Sequence, residues 1–151
     1  LDHATAIGEI VTASPTYYRL SAEFHGRAAH AGIRPEAGRS AIVAAAHAIA
    51  AMPHGRLDEQ TTANVGSIEG GVGTTNVVPE RCRLMAEARS LDAERVEQVI
   101  ADMIDAVHDG AFGHMVALHG TRIDAVPLSE ATAGPKQMDL EQFADAEVFF
   151  G

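Results

Sequence analysis

A chain of 151 residues, 46% hydrophobic and 21% charged, can hold one ordinary domain with its own core and is too apolar to be disordered. Its formal charge of −10, from 21 acids against 11 bases with no basic cluster, argues against nucleic acid and anionic membrane as partners. The single cysteine, Cys82, excludes an intrachain disulfide and a cysteine-based zinc site and fits a reducing, cytoplasmic compartment; no apolar run nears the roughly 20 residues that span a bilayer.

The N-terminal stretch LDHATAIGEI has no basic-then-apolar signal pattern, and a start at Leu1 rather than Met is expected of a piece of a longer protein. Ile7 to Ser14 is short and β-branched, an entering strand closed by Pro15. From Thr16 to Gly26 the sequence alternates. Tyr18, Leu20, Ala22 and Phe24 fall on one side, Tyr17, Arg19, Ser21, Glu23 and His25 on the other, the period of a strand with one buried face. His30 then sits in a loop of small neighbours, Ala28, Ala29, Ala31 and Gly32, and Pro35 suits the first turn of a helix. Ala37 to Met52 reads as that helix, with Ile42, Ala45, Ala46, Ile49 and Met52 on its inner face and Pro53 as its stop.

A strand over Thr61–Glu69 follows, then the turn GGVGTT and a longer strand from about Asn76 to Ser90, with Cys82, Leu84, Ala86 and Ala88 on one face. Ser90 or Asp92 caps the next helix, where Val96, Val99, Ile100, Met103, Ile104 and Val107 recur at i, i+3, i+4, i+7 until Gly110 and Gly113 end it. A last strand runs roughly from His114 to Val126. Strand, helix, strand, strand, helix, strand is the α+β, ferredoxin-like βαββαβ order, a four-stranded antiparallel sheet with two helices on one face. In that order, 4-1-3-2, the strand over Thr61–Glu69 is an edge, yet it lacks the proline and the row of charges that usually guard one. We therefore expect an interface there. Residues 127–151 change character, with five acids against Lys136; a short helix over Asp139–Val148 is possible, and this acidic tail is given no function.

The loop from Gly70 to Asn76 lacks the Gly-Lys-Ser/Thr ending of a phosphate loop and reads as a glycine-rich hairpin turn. Eight histidines invite a metal, but none has zinc-ligand spacing, and Cys82, on a buried face, reads as packing. Three polar groups at element ends stand out: His30 after the first strand, Asn76 entering the third and Arg89 leaving it. A neutral donor, an amide and a guanidinium can hold a carboxylate and a polarised carbonyl.

The segments GEIVTASPTYYRL, FHGRAAHAGIRPEAGRSAI, TANVGSIEGGVGTTNVVPERC and AEARSLD resemble the lid, or dimerisation, domain of dinuclear-zinc exopeptidases, the family of tripeptide aminopeptidase, carboxypeptidase G and succinyl-diaminopimelate desuccinylase. The likeness runs over about Ile7 to Gly113 and is strongest to the tripeptide aminopeptidase-like members. It implies that residues 1–126 are a lid domain that pairs with a second copy through the edge strand 61–69 and the helix 37–52. It implies also that His30 matches the histidine stabilising the oxyanion in the partner's active site, while Asn76 and Arg89 match residues that bind the substrate carboxylate. The substrate would be a peptide or N-acyl amino acid. The two zinc ions belong to a separate domain whose His-x-Asp and Glu-Glu ligands are absent here, so this chain is expected neither to hold metal nor to hydrolyse alone. The rival reading is a free-standing ferredoxin-like dimer that binds a small molecule or regulates.

Overall fold

The structure, a computed structural model, describes residues 13–126, with side chains as far as Leu118. The acidic tail and almost all of the strand expected over Ile7–Ser14 lie outside the described residues. The elements are β1 (Thr16–His25), β2 (Ala29–His30), α1 (Ala41–Ala51), β3 (Gly55–Arg56), β4 (Thr61–Gly70), β5 (Val77–Val78), β6 (Arg81–Ser90), α2 (Ala93–Gly113) and β7 (Ala117–Val126). Five strands form one antiparallel sheet in the order β3-β4-β6-β1-β7, and β2 with β5 makes a separate two-stranded ladder. The architecture is α+β as expected, but the sheet has five strands rather than four. The addition, β3, is two residues long and pairs only with Thr62 and Ala63.

The alternation in β1 and β6 sorts the two sheet faces. Leu20, Ala22 and Phe24 of β1 and Cys82, Leu84, Ala86 and Ala88 of β6 are buried under the helices, while Arg19, Arg81, Arg83 and Arg89 stand exposed on the other side. Along α2, Val96, Val99, Ile100, Met103 and Val107 are buried and Ile104 is partly so. Burial of side chains of this size is worth about 1.5–3 kcal/mol each before ordering entropy is subtracted. Asp92 caps α2, its carboxylate accepting from the N–H groups of Glu94 at 3.0 Å and Arg95 at 3.2 Å. Asp92→Ala should cost about 1 kcal/mol. This is measurable as a lower urea midpoint at unchanged slope; an unaltered midpoint would show that the cap contributes nothing.

Several expectations are corrected by packing. The first helix does not start at Ala37. Pro35–Ala37 is one 3-10 turn, Gly38 is extended, and Ser40 caps α1 by accepting from Val43 N–H. Its inner face is Ala41, Ala44, Ala45 and Ala48, with Ile42 and Val43 left 36% and 44% exposed. The reason is close approach. Gly110 lies inside α2 rather than at its end, and a Cβ there would sit 2.7 Å from the Ala44 carbonyl oxygen and 2.8 Å from Ala48 Cβ. Only small side chains fit a crossing so tight. The long strand expected from Asn76 to Ser90 is two strands, because Pro79 has no N–H for the ladder. The last strand begins at Ala117, since His114 ends α2 as its cap and its ring lies 4.4 Å from that of His47.

Candidate functional site

His30 is placed by backbone contacts on both sides. Arg27 and Arg39 exchange N–H···O=C bonds at 2.9 and 2.8 Å, tying the loop to the start of α1. Gly26 makes this approach possible, since a Cβ there would lie 2.0 Å from the Arg39 carbonyl oxygen. Beyond it, β2 pairs with β5, His30 opposite Val77, and Ala31 N–H donates to the Asn76 carbonyl at 2.9 Å. The turn then closes on His30, whose carbonyl accepts from Arg34 N–H at 3.0 Å.

The imidazole is exposed, and its Nδ1 accepts from Gly32 N–H at 3.2 Å. An accepting Nδ1 carries no proton, so in the neutral ring the proton is on Nε2. That N–H has no hydrogen-bond partner among the described residues and points a neutral donor outward. It is the chemistry a developing oxyanion needs. Around it lies an open cleft of about 470 Å³ lined by Arg27, Ala28, His30, Ile33 and Arg34 among others.

The structure brings His30 and Asn76 together and leaves Arg89 apart. Arg81 is opposite His25 in the β1–β6 ladder and Arg89 is opposite Tyr17, so Arg89 is at the far end of the sheet. Eight residues at about 3.3 Å each put it on the order of 25 Å from the His30 end. There its guanidinium forks onto Glu87 at 2.8 and 3.1 Å and lies 5.4 Å from the centre of the Tyr17 ring. The Glu87 contact holds the Arg89 pKa above its ordinary value. Sequence reasoning did not single out Arg27 and Arg34 as part of the His30 cleft. Their flanking of the histidine in GRAAHAGIR was the available signal.

The other candidates take structural roles. Cys82 is buried, and burial pushes its thiol pKa up, which disfavours the reactive thiolate. The glycine-rich loop turns through Gly71 and Gly73, at φ 79° and 77°, conformations open to glycine, between β4 and β5. Among the described residues no three His, Cys, Asp or Glu side chains lie together as a metal needs, so the residues present do not fit the two zinc ions implied by the resemblance. Dialysis followed by metal analysis should find well under one zinc per chain; one tightly held zinc, with loss of fold on chelation, would overturn that expectation.

The family model of the peptidase dimerisation domain matches residues 16–114. The uncharacterised protein YqjE of Bacillus subtilis is 45% identical over 111 residues, 74% of this chain and 30% of YqjE. Among solved structures, aminopeptidase PepT from Bacillus cereus superposes with a TM-score of 0.76 at 43% identity, over 83% of this chain and 33% of that one. A tripeptidase from Staphylococcus aureus gives a TM-score of 0.70 at 34% identity, over 84% of this chain and 32% of that one. This chain thus spans about a third of the length of these relatives. A different kind of protein matches a short stretch. The pyrophosphate–fructose 6-phosphate 1-phosphotransferase of Amycolatopsis mediterranei is 60% identical over 48 residues, 32% of this chain and 14% of that enzyme. The peptidase match stops at His114, just before β7, and takes in both helices and every other strand of the sheet. With that fold, the His30 loop and the length of the match, the chain belongs to the peptidase dimerisation domain family.

Proposed function

We propose that this chain is the lid of a larger zinc-dependent exopeptidase of the cytoplasm, pairing two copies through β4 and α1 and presenting His30 to the partner's substrate. The four long strands, in the order β4-β6-β1-β7, and the two helices are read as its ferredoxin-like unit, residues 1–126 as the lid and 127–151 as an appended tail. The observation that carries the reading is the outer edge of β4. Beyond Ala63 it has no strand partner among the described residues, and Ile68 there is 46% exposed. Ile42 of α1 closes over the end of β4, where a Cβ on Gly70 would come within 3.0 Å of it. Strand edge and helix flank thus make one continuous surface, with Val43 and Val72 also exposed beside it. A second copy adding its own edge would satisfy the free N–H and C=O groups and bury about 1,200–2,000 Å² in total.

The separation of Arg89 from His30 supports the same reading. One small peptide cannot touch both ends of one sheet, but an arginine from one copy and a histidine from the other can converge on a single ligand. In that arrangement His30 Nε2–H donates to the scissile carbonyl oxygen, and Asn76 and Arg89 hold the carboxylate of a peptide or N-acyl amino acid. The names of the relatives, an aminopeptidase and a tripeptidase, favour peptides. The two zinc ions and their ligands would belong to the hydrolytic domain of the whole enzyme. The 48-residue phosphotransferase match, 14% of that enzyme, is too short a piece to supply a phosphoryl-transfer site and carries no function here.

Sedimentation at tens of micromolar tests the pairing. The chain should run as a dimer, and Asn64→Lys with Ile68→Glu should give a monomer with unchanged circular dichroism. A monomeric parent chain would remove the reading.

A further inference from the structure

The cleft around His30 holds more positive charge than an oxyanion donor requires. In a chain of 21 acids and 11 bases, two guanidiniums, Arg27 and Arg34, line the open cleft around His30. Arg27 is held in place from one side. Its Nε donates to the Ala37 carbonyl, and its backbone is locked by the exchange with Arg39. That leaves the terminal nitrogens of its fork without a hydrogen-bond or ion-pair partner among the described residues. Arg34 is exposed, and its guanidinium has no hydrogen bond or ion pair among the described residues. Glu36, the carboxylate nearest to Arg34 in sequence, pairs with neither arginine, and Glu23, the nearest to Arg27, pairs with His25. Ile33, 71% exposed, adds an apolar side chain to the lining.

Charged groups arranged around a neutral donor and left unneutralised suit a ligand that brings its own negative charge. We infer that Arg34, with Arg27, forms an anion subsite beside His30 that selects substrates carrying an acidic residue next to the bond under attack. This rests on the reading that His30 meets substrate. It adds a specificity residue, Arg34, on the same loop. A guanidinium presents parallel N–H donors to a carboxylate, which makes the recognition geometric as well as electrostatic. Because the cleft is open to solvent, the expected selectivity is modest, several-fold rather than several thousand-fold. No covalent step is involved.

The test uses the 151-residue chain with N-acetylglutamate as probe, at constant ionic strength so that screening is the same throughout. The proton NMR signal of the His30 ring and the amide signals of Ala31 and Gly32 should move saturably. N-acetylglutamine, which has the same shape and one charge fewer, should bind about fivefold more weakly. Arg34→Gln should abolish the difference between the two probes while amide dispersion elsewhere stays as in the parent chain. Equal binding of both probes by the parent chain, or an undiminished preference in Arg34→Gln, would overturn the inference. In the full-length enzyme, the ratio of kcat/KM for a glutamate peptide to that for its glutamine counterpart should fall about fivefold with Arg34→Gln. The two readings fail separately. An active His30→Ala enzyme would remove the functional reading, and with it the subsite's part in substrate choice, while leaving the probe preference standing; an unchanged probe preference in Arg34→Gln would remove only the subsite.

Discussion

Replacing His30 by alanine in the full-length enzyme should lower kcat by roughly 10²–10³, with a much smaller effect on KM. The expectation follows from the tautomer. Gly32 N–H occupies Nδ1, so Nε2–H is the available donor, and alanine removes it without touching the β2–β5 ladder or the Arg27–Arg39 exchange that position the loop. The dimer should therefore survive. A mixing experiment separates the geometries. One protein carries His30→Ala; the other has an intact lid and a lesion in its hydrolytic domain. If His30 acts on the partner, subunit exchange restores one of the two sites in each heterodimer, because one site then combines an intact hydrolytic domain with an intact histidine. A role confined to its own subunit gives no recovery on mixing, and an idle side chain leaves the single variant fully active. The first result would confine His30 to its own active site and remove the cross-subunit geometry; the second would remove His30 from the reaction.

The second large effect belongs to the helix crossing. Gly110→Val should destabilise the chain by roughly 3 kcal/mol, at the upper end of what overpacking costs and a substantial part of the about 5–15 kcal/mol that holds a domain together. The nearest atoms to a new Cβ are the Ala44 carbonyl oxygen at 2.7 Å, Ala48 Cβ at 2.8 Å and Ala48 N at 2.9 Å. All belong to backbone or to a methyl with no other rotamer, so the only relief is movement of α1 as a body. Gly113→Ala is the control, for a Cβ there meets nothing within 4 Å, and removing a helical glycine should be neutral or gain up to about 1 kcal/mol. Urea unfolding of the two variants reads the difference. If α1 carries half of the dimer surface, Gly110→Val should also raise the dimer dissociation constant. Equal stability of both variants would mean that α1 and α2 do not cross where Gly110 lies.

The elements whose two faces differ in polarity were legible from the sequence. Leu20, Ala22 and Phe24 against Arg19, Ser21 and Glu23 leave one way to bury β1, and the helix from Val96 to Val107 has charged residues on its outer side. The first helix has no such contrast. Ala41 to Ala46 is apolar all round, so the bulky Ile42 and Ile49 made as good an inner face as the alanines, and only the approach of Gly110 decides for the small ones. Pro79 did signal a break within the Asn76–Ser90 run, since proline cannot donate to a ladder.

At the candidate site the sequence supplied the residues but not their grouping. His30, Asn76 and Arg89 all stand at element ends, and nothing local tells which ends meet. The two-residue ladder of β2 with β5 joins the first two across forty-six positions of chain, and the ten-residue antiparallel register of β1 with β6 sends Arg89 to the opposite end. Periodicity is local, fixed by backbone geometry at two or 3.6 residues per repeat, so one sequence can sort faces without help. The choice between two apolar faces, and the meeting of distant strand ends, depend on contacts between segments far apart in sequence. Those the tertiary structure alone decided.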